Sequence, residues 1–502
     1  MPGTIRDLLG GLAALVVAAG TAAADGPFPR HDQLPLAVSQ DLAPLARLLA
    51  ASQTRPVRLL LLGDSQETCP GGWGAAYVPA LNERLYERFG PVGITPLMTN
   101  LSCGGGNPPA QWLMSGGFGG SPVPALAAGA AQMLPSTLGR AFHGATTPFS
   151  GAGWLTTLRG NGSATADTFL SEQPYFQGAG EIGAEVLVLS TPGGGGLRWQ
   201  ARPAAAAGAG YTAAATNSGA VSASAIQGAP GEVALLATGP LDSAGLPYMQ
   251  LEVEGDSAVA ETVVLGVRFL DLGSPVQSPR GLLVESFSEG GYTVQSHLNT
   301  HSEAGPMLRA IDPDAIMIQL GANDFASAGA TPDSFHAGLQ QLIARVRLWM
   351  DDPCLPIILV GEASVPSLFF HDGFSRSAGV AADLALIEPN IHFINLRRAM
   401  ELWHGCFDGE WCAHYDMAHF TPWGQRRLAR ALGQLLVDVE MTGQSCPGDF
   451  DGDAAVGSAD LAVLLAQFGV AGSCALADMD GDARVDASDL AQLLAAWGPC
   501  PN

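Results

Sequence analysis

The stretch Pro56-Val57-Arg58-Leu59-Leu60-Leu61-Leu62-Gly63-Asp64-Ser65 decides the fold. Its four consecutive leucines predict a buried central strand, which is typical of a parallel sheet. The run stops at Gly-Asp-Ser, and apolar residues at helical spacing predict a helix over residues 73–89. In open α/β sheets, functional groups collect at the carboxyl ends of the strands. Ser65 is therefore a candidate nucleophile; the alternative is a strand that merely ends in turn residues.

The composition of the 502-residue chain excludes several classes of function. A formal net charge of -24 at pH 7 makes nucleic acid and anionic membrane surfaces poor candidate partners. All 23 basic residues are arginine. The absence of lysine excludes Schiff-base lysine chemistry and phosphate-binding loops of the Walker type, since both need a lysine side chain.

Residues 1–24 have the pattern of a secretory signal peptide. Arg6 supplies a positive start, Leu8 to Ala19 an apolar run, and Ala22-Ala23-Ala24 a small-residue cleavage site. This run is too short for a comfortable membrane span, and no later stretch has the ~20 apolar residues that a span needs. A buried N-terminal helix is the alternative. We expect a secreted or cell-surface protein, cleaved near Ala24 and without a transmembrane span.

Eight cysteines in an exported chain favour disulfides. Cys406 and Cys412 are close enough for a small loop, and a bond between Cys69 and Cys103 would tie the turn after Ser65 to a later loop. The connectivity cannot be read from sequence, and no CxxC pair of the metal-binding type is present. The other four are Cys354, Cys446, Cys474 and Cys500.

Composition and periodicity divide the mature chain into four segments. Residues 25–106 contain the leucine run. Residues 107–280 are rich in Gly, Ala, Ser and Thr with short strand-like runs, which predicts an inserted all-β sandwich domain. Strands and helices alternate again over 281–445, which predicts a flavodoxin-like parallel sheet with helices on both faces. Residues 446–502 are an internal repeat.

The pattern also predicts individual elements within these segments. Residues 25–55 are expected to lead into the first strand. Further strands of the α/β core are expected at 282–286, 315–320, 356–361 and 391–396, with helices at 332–350 and 421–441. Strand-like runs of the inserted segment are 185–190, 233–237, 249–253 and 262–269.

Three short motifs follow predicted strands or precede the closing helix. They are Gly63-Asp64-Ser65, Gly321-Ala322-Asn323-Asp324 and Asp416-Met417-Ala418-His419. A serine nucleophile needs a base, and the base needs an orienting acid. Asp416 and His419 can supply both from one loop. The amide of Asn323 can donate to the oxyanion that forms when a carbonyl is attacked.

In this order the motifs resemble the SGNH, or GDSL-type, hydrolase family. The family pattern is Gly-Asp-Ser, a lone Gly, Gly-x-Asn-Asp and Asp-x-x-His. The resemblance implies the SGNH hydrolase fold, with Ser65 as nucleophile, His419 as general base and acid, and Asp416 as the partner of the histidine. It also implies an oxyanion hole built from the Ser65 N–H, a glycine N–H and Asn323.

Two glycines compete for the role of the lone Gly. Gly104 lies a typical distance after Ser65. Gly291 follows a predicted strand, precedes Asn323 by about thirty residues, and is trailed two positions later by Thr293, as in the family. We therefore predict Gly291, which makes most of residues 107–280 an insertion between the first two motifs.

The insertion narrows the expected substrate. Some exported members of the family that deacetylate polysaccharide or peptidoglycan carry a β-sandwich at this point. The segment Asp312-Pro313-Asp314-Ala315, which precedes the Asn323 motif, also resembles the corresponding segment of those members. The resemblance implies a serine esterase acting on O-acetyl groups of carbohydrate, with no cofactor for catalysis. A lipase, a thioesterase or an O-acyltransferase of the same fold is the alternative. The alternative from another class is a cell-surface carbohydrate-binding protein with an inert hydrolase core.

Two other sets of residues are weaker candidates. A zinc site would want ligands like those crowded near the third motif, but their spacing is irregular and matches no zinc motif. They are His404, Asp408, His414, Asp416 and His419. Aromatic residues of the insertion could stack on sugars, although aromatics in a sandwich are more often core. These are Trp112, Trp154, Trp199, Tyr211 and Tyr248.

Each copy of the C-terminal repeat places aspartate at loop positions 1, 3, 5 and 12, before an apolar helix. The pattern resembles the dockerin-type calcium repeat, half of an EF-hand, and implies structural calcium and a protein partner. Position 6, usually Gly, is Ala454 or Ala483, which costs ~1 kcal/mol if the turn needs positive φ. A solvated acidic turn is the alternative. The candidate ligands are Asp449, Asp451, Asp453, Ala455 and Asp460, then Asp478, Asp480, Asp482, Arg484 and Asp489.

Overall fold

The structure is a computed structural model, and it describes twenty-two ranges of the chain. They are residues 28–39, 42–67, 77–95, 156–159, 163–169, 181–190, 194–204, 215–222, 226, 232–246, 248–256, 261–272, 280–288, 291–299, 304–363, 368, 371–404, 419–443, 448–450, 455–469, 477–479 and 484–500. Several predictions fall outside these ranges: the signal peptide, six of the cysteines, Gly104, Trp112, Trp154, Tyr211, Asp408, His414, Asp416, Asp451, Asp453, Ala454, Asp480, Asp482 and Ala483.

The described strands are numbered in chain order. They are β1 (Ala37–Ser39), β2 (Pro56–Leu62), β3 (Thr156–Arg159), β4 (Ser163–Phe169), β5 (Ile182–Leu189), β6 (Leu197–Ala204), β7 (Asn217–Val221), β8 (Val233–Ala237), β9 (Tyr248–Gly255), β10 (Glu261–Asp271), β11 (Gly281–Ser286), β12 (Ala315–Ile318), β13 (Ile357–Val360), β14 (Ile391–Ile394), β15 (Ala455–Val456) and β16 (Gly498–Pro499).

The described helices follow the same rule. They are α1 (Ala43–Ala51), α2 (Tyr77–Phe89), α3 (Val294–Leu298), α4 (Ala304–Ile311), α5 (Ala322–Ala326), α6 (Pro332–Met350), α7 (Asp372–Ser375), α8 (Ser377–Ile387), α9 (Leu396–His404), α10 (Pro422–Gly443), α11 (Ser458–Gln467) and α12 (Ala487–Ala495). A 3-10 helix, His31–Gln33, precedes β1. Among the described residues, no helix has the length and apolarity that a membrane crossing requires.

Six strands form one sheet in the order β1-β14-β13-β12-β2-β11. Strand β2 pairs in parallel with β11 on one side and with β12 on the other. Its leucines Leu59 to Leu62 are all buried. The prediction of an α/β fold around a parallel sheet is confirmed, and the leucine run is an interior strand one place from the β11 edge.

Residues 25–55, which were expected to lead into the first strand, themselves contain a strand of the sheet and a helix. Strand β1 pairs antiparallel with β14 and forms the far edge of the sheet. Helix α1, which has a proline in its first turn, buries Leu45, Ala46 and Leu49. A three-residue strand is too short to show an alternating pattern, and this explains why the sequence did not reveal it.

The helices that the sequence predicted are present: α6 has the predicted ends, whereas α10 begins one residue and ends two residues later than predicted. Helix α6 begins one residue after Thr331, whose side chain accepts a hydrogen bond from the backbone N–H of Ser334. This cap satisfies one of the free N–H groups of the first turn. Helix α10, over Pro422–Gly443, packs against α2 and α1 and buries an apolar face that includes Leu428, Leu432 and Leu436.

Among the described residues, eight strands lie between β2 and β11 in the chain. They form two antiparallel four-stranded sheets, β3-β10-β5-β8 and β4-β9-β6-β7, and buried residues of both sheets belong to one apolar cluster. Leu283 of β11 belongs to that cluster too, whereas Leu187 of β5 belongs to the core of the six-stranded sheet. The inserted strands therefore share buried surface with the α/β core, and the inserted sandwich domain stays a prediction.

The C-terminal repeat forms a small unit with its own core. Strands β15 and β16 pair antiparallel, and helices α11 and α12 contact each other. The buried core of this unit consists of Val456, Leu464, Ala477, Met479, Val485 and Leu493.

Two of the eight cysteines, Cys354 and Cys500, lie in the described residues. The pairing of the cysteines stays a prediction, because the other six lie outside the described residues.

Candidate active site

Ser65 and His419 meet at the carboxyl end of the parallel sheet. Ser65 lies in the turn that follows β2, and His419 lies three residues before α10 begins. The Ser65 Oγ is 3.1 Å from the His419 Nε2, which is hydrogen-bonding distance. A histidine in this position can take the hydroxyl proton as the oxygen attacks. Asp416, the predicted partner of the histidine, lies outside the described residues.

The turn that carries Ser65 is held by its own acidic side chains. Asp64 Oδ1 accepts a hydrogen bond of 2.8 Å from the Gln66 N–H, and Glu67 Oε2 accepts one of 2.7 Å from the Asp64 N–H. Gly63 makes this arrangement possible, because a Cβ there would lie 2.3 Å from Glu67 Oε2. The turn therefore requires a residue without a side chain at Gly63.

Asn323 connects three strand ends through its side-chain amide. It lies in α5, just after β12. Its Nδ2 donates to Asp64 Oδ2 at 2.7 Å, after β2, and to the carbonyl oxygen of Tyr292 at 3.0 Å, after β11. An amide NH₂ has two hydrogens, and each has an acceptor here. To donate to an oxyanion, the amide must share or exchange one of these bonds.

Gly291 lies next to the residue that accepts the Asn323 amide, Tyr292. It is exposed, has a φ of 82°, and immediately precedes Tyr292, the acceptor for Asn323. Residues with a side chain rarely adopt this φ, so the turn favours glycine. The competing residue, Gly104, lies outside the described residues, so the choice between the two glycines stays a prediction.

Helix α3, directly after Gly291, brings a buried histidine under the serine turn. Thr293 caps the helix by accepting from the Ser296 N–H. His297 Nε2 lies 3.2 Å from the carbonyl oxygen of Gly63. Burial lowers the pKa of His297 to about 4, so the ring is neutral at pH 7 and its Nε2–H donates to that carbonyl.

Buried carboxyl groups surround the same turn. Burial, the largest cause, raises the pKa of Asp64 to about 6, that of Asp324 to about 7, and those of Glu67 and Glu362 well above the usual range. Asp324 accepts a hydrogen bond of 3.1 Å from the Val294 N–H. Clusters of such perturbed groups are typical of functional sites.

Sequence reasoning missed three residues of this cluster, Glu67, Glu362 and His297. Glu362 follows β13 by one glycine, so a glutamate directly after an apolar parallel strand was the signal that could have found it. His297 offered no such signal, because one histidine in a short helix is more often a core residue than a functional one.

The weaker candidates find little support in the described residues. Trp199 is half-buried, packs against the apolar cluster of the two inserted sheets, and would collide with a Cβ at Gly219. It is therefore a packing residue. In the part of the chain that the structure describes, no group of three or more His, Cys, Asp or Glu could hold a metal ion.

The described part of the C-terminal loops shows the same hydrogen bonds in both repeats. Asp460 accepts from the N–H groups of Phe450 at 2.5 Å and Gly457 at 2.7 Å. Asp489 accepts from those of Met479 at 2.6 Å and Asp486 at 2.8 Å. The position-12 carboxylate thus closes each loop. Positions 3 and 5 lie outside the described residues, so calcium binding stays a prediction.

Comparisons with solved structures identify the fold. Over 81% of this chain and 100% of the other, the structure resembles one titled "Peptidoglycan O-acetylesterase in action", with a TM-score of 0.53 and 15% identity. A family two carbohydrate esterase from Cellvibrio japonicus matches 57% of this chain and 91% of its own, with a TM-score of 0.26 and 11% identity. No protein-family model and no curated protein matches the chain. The structure therefore shares the fold of the peptidoglycan O-acetylesterase.

Proposed function

We propose that this protein is a serine esterase that removes O-acetyl groups from carbohydrate. The observation that carries the proposal is the 3.1 Å contact between Ser65 Oγ and His419 Nε2 at the carboxyl end of the sheet. The shared fold with a peptidoglycan O-acetylesterase supports the same activity. Fold alone does not determine function, so the argument depends on the side chains that meet at this edge.

The reaction is an acyl transfer in two steps. His419 takes the Ser65 proton while the serine oxygen attacks the ester carbonyl, and the protonated histidine then gives that proton to the departing sugar oxygen. Water attacks the acetyl-serine next, with His419 again as the base, which releases acetate and restores the serine. Asp416 is proposed to orient the histidine.

The oxyanion of each step needs hydrogen-bond donors. We assign the backbone N–H groups of Ser65 and Gly291 and the amide of Asn323 to this role. The exposed Gly291 and the link from Tyr292 to Asn323 support the assignment. During reaction the Asn323 amide shares one of its two hydrogens between its present acceptor and the oxyanion.

The acidic composition of the chain and the strands inserted into the core favour a carbohydrate substrate. The chain carries only 23 basic residues against 47 acidic ones, which disfavours an anionic polymer as the ligand. We propose that the inserted strands form a sandwich that helps to position the polymer, that residues 1–24 direct export, and that the C-terminal repeats bind calcium and a protein partner. Acetylated peptidoglycan and acetylated neutral polysaccharide are the two substrates to compare.

The test is acetate release from both acetylated polymers and from short- and long-chain nitrophenyl esters. The wild type is expected to release acetate from at least one polymer and to prefer short acyl chains. Ser65→Ala is expected to lose activity by orders of magnitude with an unchanged melting temperature, because it leaves no core cavity. Ser218→Ala, which removes an exposed hydroxyl on β7, is the matched control.

Three outcomes would contradict the proposal in different ways. Turnover by a folded Ser65→Ala variant would show that Ser65 is not the nucleophile. A clear preference for long acyl chains would favour a lipase or thioesterase. Tight binding of a polymer with no hydrolysis would favour a carbohydrate-binding protein with an inert core.

A further inference from the structure

Glu362 reaches the candidate site from a strand that no motif marks. It follows β13, and it is 2% exposed. Its Oε2 accepts a hydrogen bond of 2.5 Å from the backbone N–H of Ala322, and its side chain is hydrogen-bonded to that of Asp64. Glu362 therefore contacts the ends of both β12 and β2.

Both of these contacts lead to Asn323. Ala322 precedes it in the chain, so the bond to Glu362 fixes the backbone where α5 begins. Asp64 accepts the Asn323 amide at 2.7 Å, so the bond between Glu362 and Asp64 fixes the side chain as well. Gly321 keeps the approach close: a Cβ there would lie 3.1 Å from Glu362 Oε2.

The contact between Glu362 and Asp64 requires a proton, because two carboxylates have no hydrogen to share. The other oxygen of Glu362, Oε1, is buried and accepts no hydrogen bond from a donor group of the described residues, so it is the oxygen that can carry this proton. A buried carboxylate oxygen without a donor is costly, and protonation removes that cost.

The groups that face this pair support a neutral Glu362. Burial is the main cause that raises its pKa, and the charges of Asp64 and Glu67 raise it further. Tyr77 of α2 interacts with Glu362 and with Glu67, and it gives its hydroxyl hydrogen to Gln319 at 2.8 Å. His419 lies near enough to lower the pKa of Asp64, and Asp64 in turn raises that of Asp324.

We propose that Glu362, in its neutral form, is a positioning residue for the ester hydrolysis. It gives its proton to the hydrogen bond with Asp64 and accepts from Ala322, and so it holds the Asn323 amide where an oxyanion forms beside Ser65. This inference rests on the proposed function, since it assigns Asn323 to the oxyanion hole.

Two substitutions distinguish positioning by a neutral Glu362 from an effect of a negative charge on Glu362. Glu362→Gln keeps both bonds, because its carboxamide oxygen accepts from Ala322 and its NH₂ donates to Asp64. Its kcat on a nitrophenyl acetate is expected to stay within about threefold of the wild type. Glu362→Leu keeps the volume and loses both bonds, so kcat is expected to fall about tenfold or more with little change in KM, because misplacing a catalytic group is costly. Glu87→Gln, on the exposed face of α2, is the control.

The pH dependence of kcat adds a measurement that would not change if Glu362 had only a structural role. The raised pKa keeps Glu362 neutral until the pH passes that value, and the pair then becomes doubly charged. Wild-type kcat is therefore expected to decline on the alkaline side. In Glu362→Gln, which cannot lose the proton, the decline is expected to move to higher pH. An unchanged alkaline limb would overturn the proposal, even if the leucine variant does not fold.

An infrared difference spectrum distinguishes this inference from the proposed function. The wild type minus Glu362→Gln is expected to show the band of a protonated carboxyl at neutral pH, whether or not the protein hydrolyses esters. Absence of that band, or equal activity losses in the glutamine and leucine variants, would show that Glu362 acts as a charged group. Wild-type kcat in a folded leucine variant would show that it has no positioning role.

Discussion

Ser65 stands in a turn that depends on buried polar side chains. Asp64 and Glu67 bind its backbone N–H groups, Asn323 binds Asp64, and His297 lies under the carbonyl of Gly63. Each contact constrains the turn from a different strand end or helix. Preorganisation of this kind is what places a nucleophile and its oxyanion donors before substrate arrives.

The neutral His297 predicts a loss of stability in acid. In the unfolded chain a histidine binds a proton below pH 6.5, whereas in the folded protein the pKa of His297 is about 4. Between these values the unfolded state binds more protons, so the free energy of unfolding falls as the pH falls from 6.5 to 4. The contribution of this residue is on the order of 3 kcal/mol at the acid end.

His297→Gln tests this prediction. Glutamine keeps a donor for the Gly63 carbonyl and does not titrate, so the variant is expected to lose less stability between pH 7 and pH 4.5 than the wild type. Urea unfolding of both proteins at the two pH values measures the difference, and other titrating groups cancel in the comparison. Identical pH dependence in the two proteins would mean that His297 is not held neutral.

At the scale of elements, the site is a row of strand ends. Strands β2, β11, β12 and β13 are neighbours or near neighbours in the sheet, and each delivers one group: the serine turn, Gly291, Asn323 and Glu362. A parallel sheet brings such groups together because all its strands end at one edge. Residues far apart in the chain are thereby brought to one edge of the sheet.

This geometry explains what the sequence could and could not predict. The Ser65 and Asn323 motifs follow continuous apolar strands, and the His419 motif precedes the long helix α10, so their placement was readable. Strand β1 and the role of Glu362 were not, because a three-residue edge strand has no period and a lone glutamate has no motif. Leu187 and Leu283 gave no sign that the inserted sheets would share buried surface with the core.

At the scale of the molecule, the described residues form three apolar clusters, in the α/β core, the two inserted sheets and the C-terminal unit. The first two are in contact through β5 and β11. The third contains only residues beyond Ala455, so its stability is expected to respond to its own ligand. This separation makes the calcium prediction testable in the whole protein.

Calcium is expected to stabilise the C-terminal unit and to leave ester hydrolysis unchanged. Binding to the folded loops shifts the folding equilibrium by mass action, and it relieves the repulsion among the loop aspartates. A calcium chelator should lower the melting transition of this unit in calorimetry, and added magnesium should restore it less well than added calcium. Loss of esterase turnover on chelation would place the metal in the active site instead.

Covalent labelling tests the central claim most directly. An organophosphonate ester that mimics the acylation step, followed by peptide mass spectrometry, is expected to place one adduct on Ser65. The adduct should be absent from Ser65→Ala and should form much more slowly in His419→Ala, because the base activates the serine. No adduct in the folded wild type, or an adduct on another serine that persists in Ser65→Ala, would contradict the account.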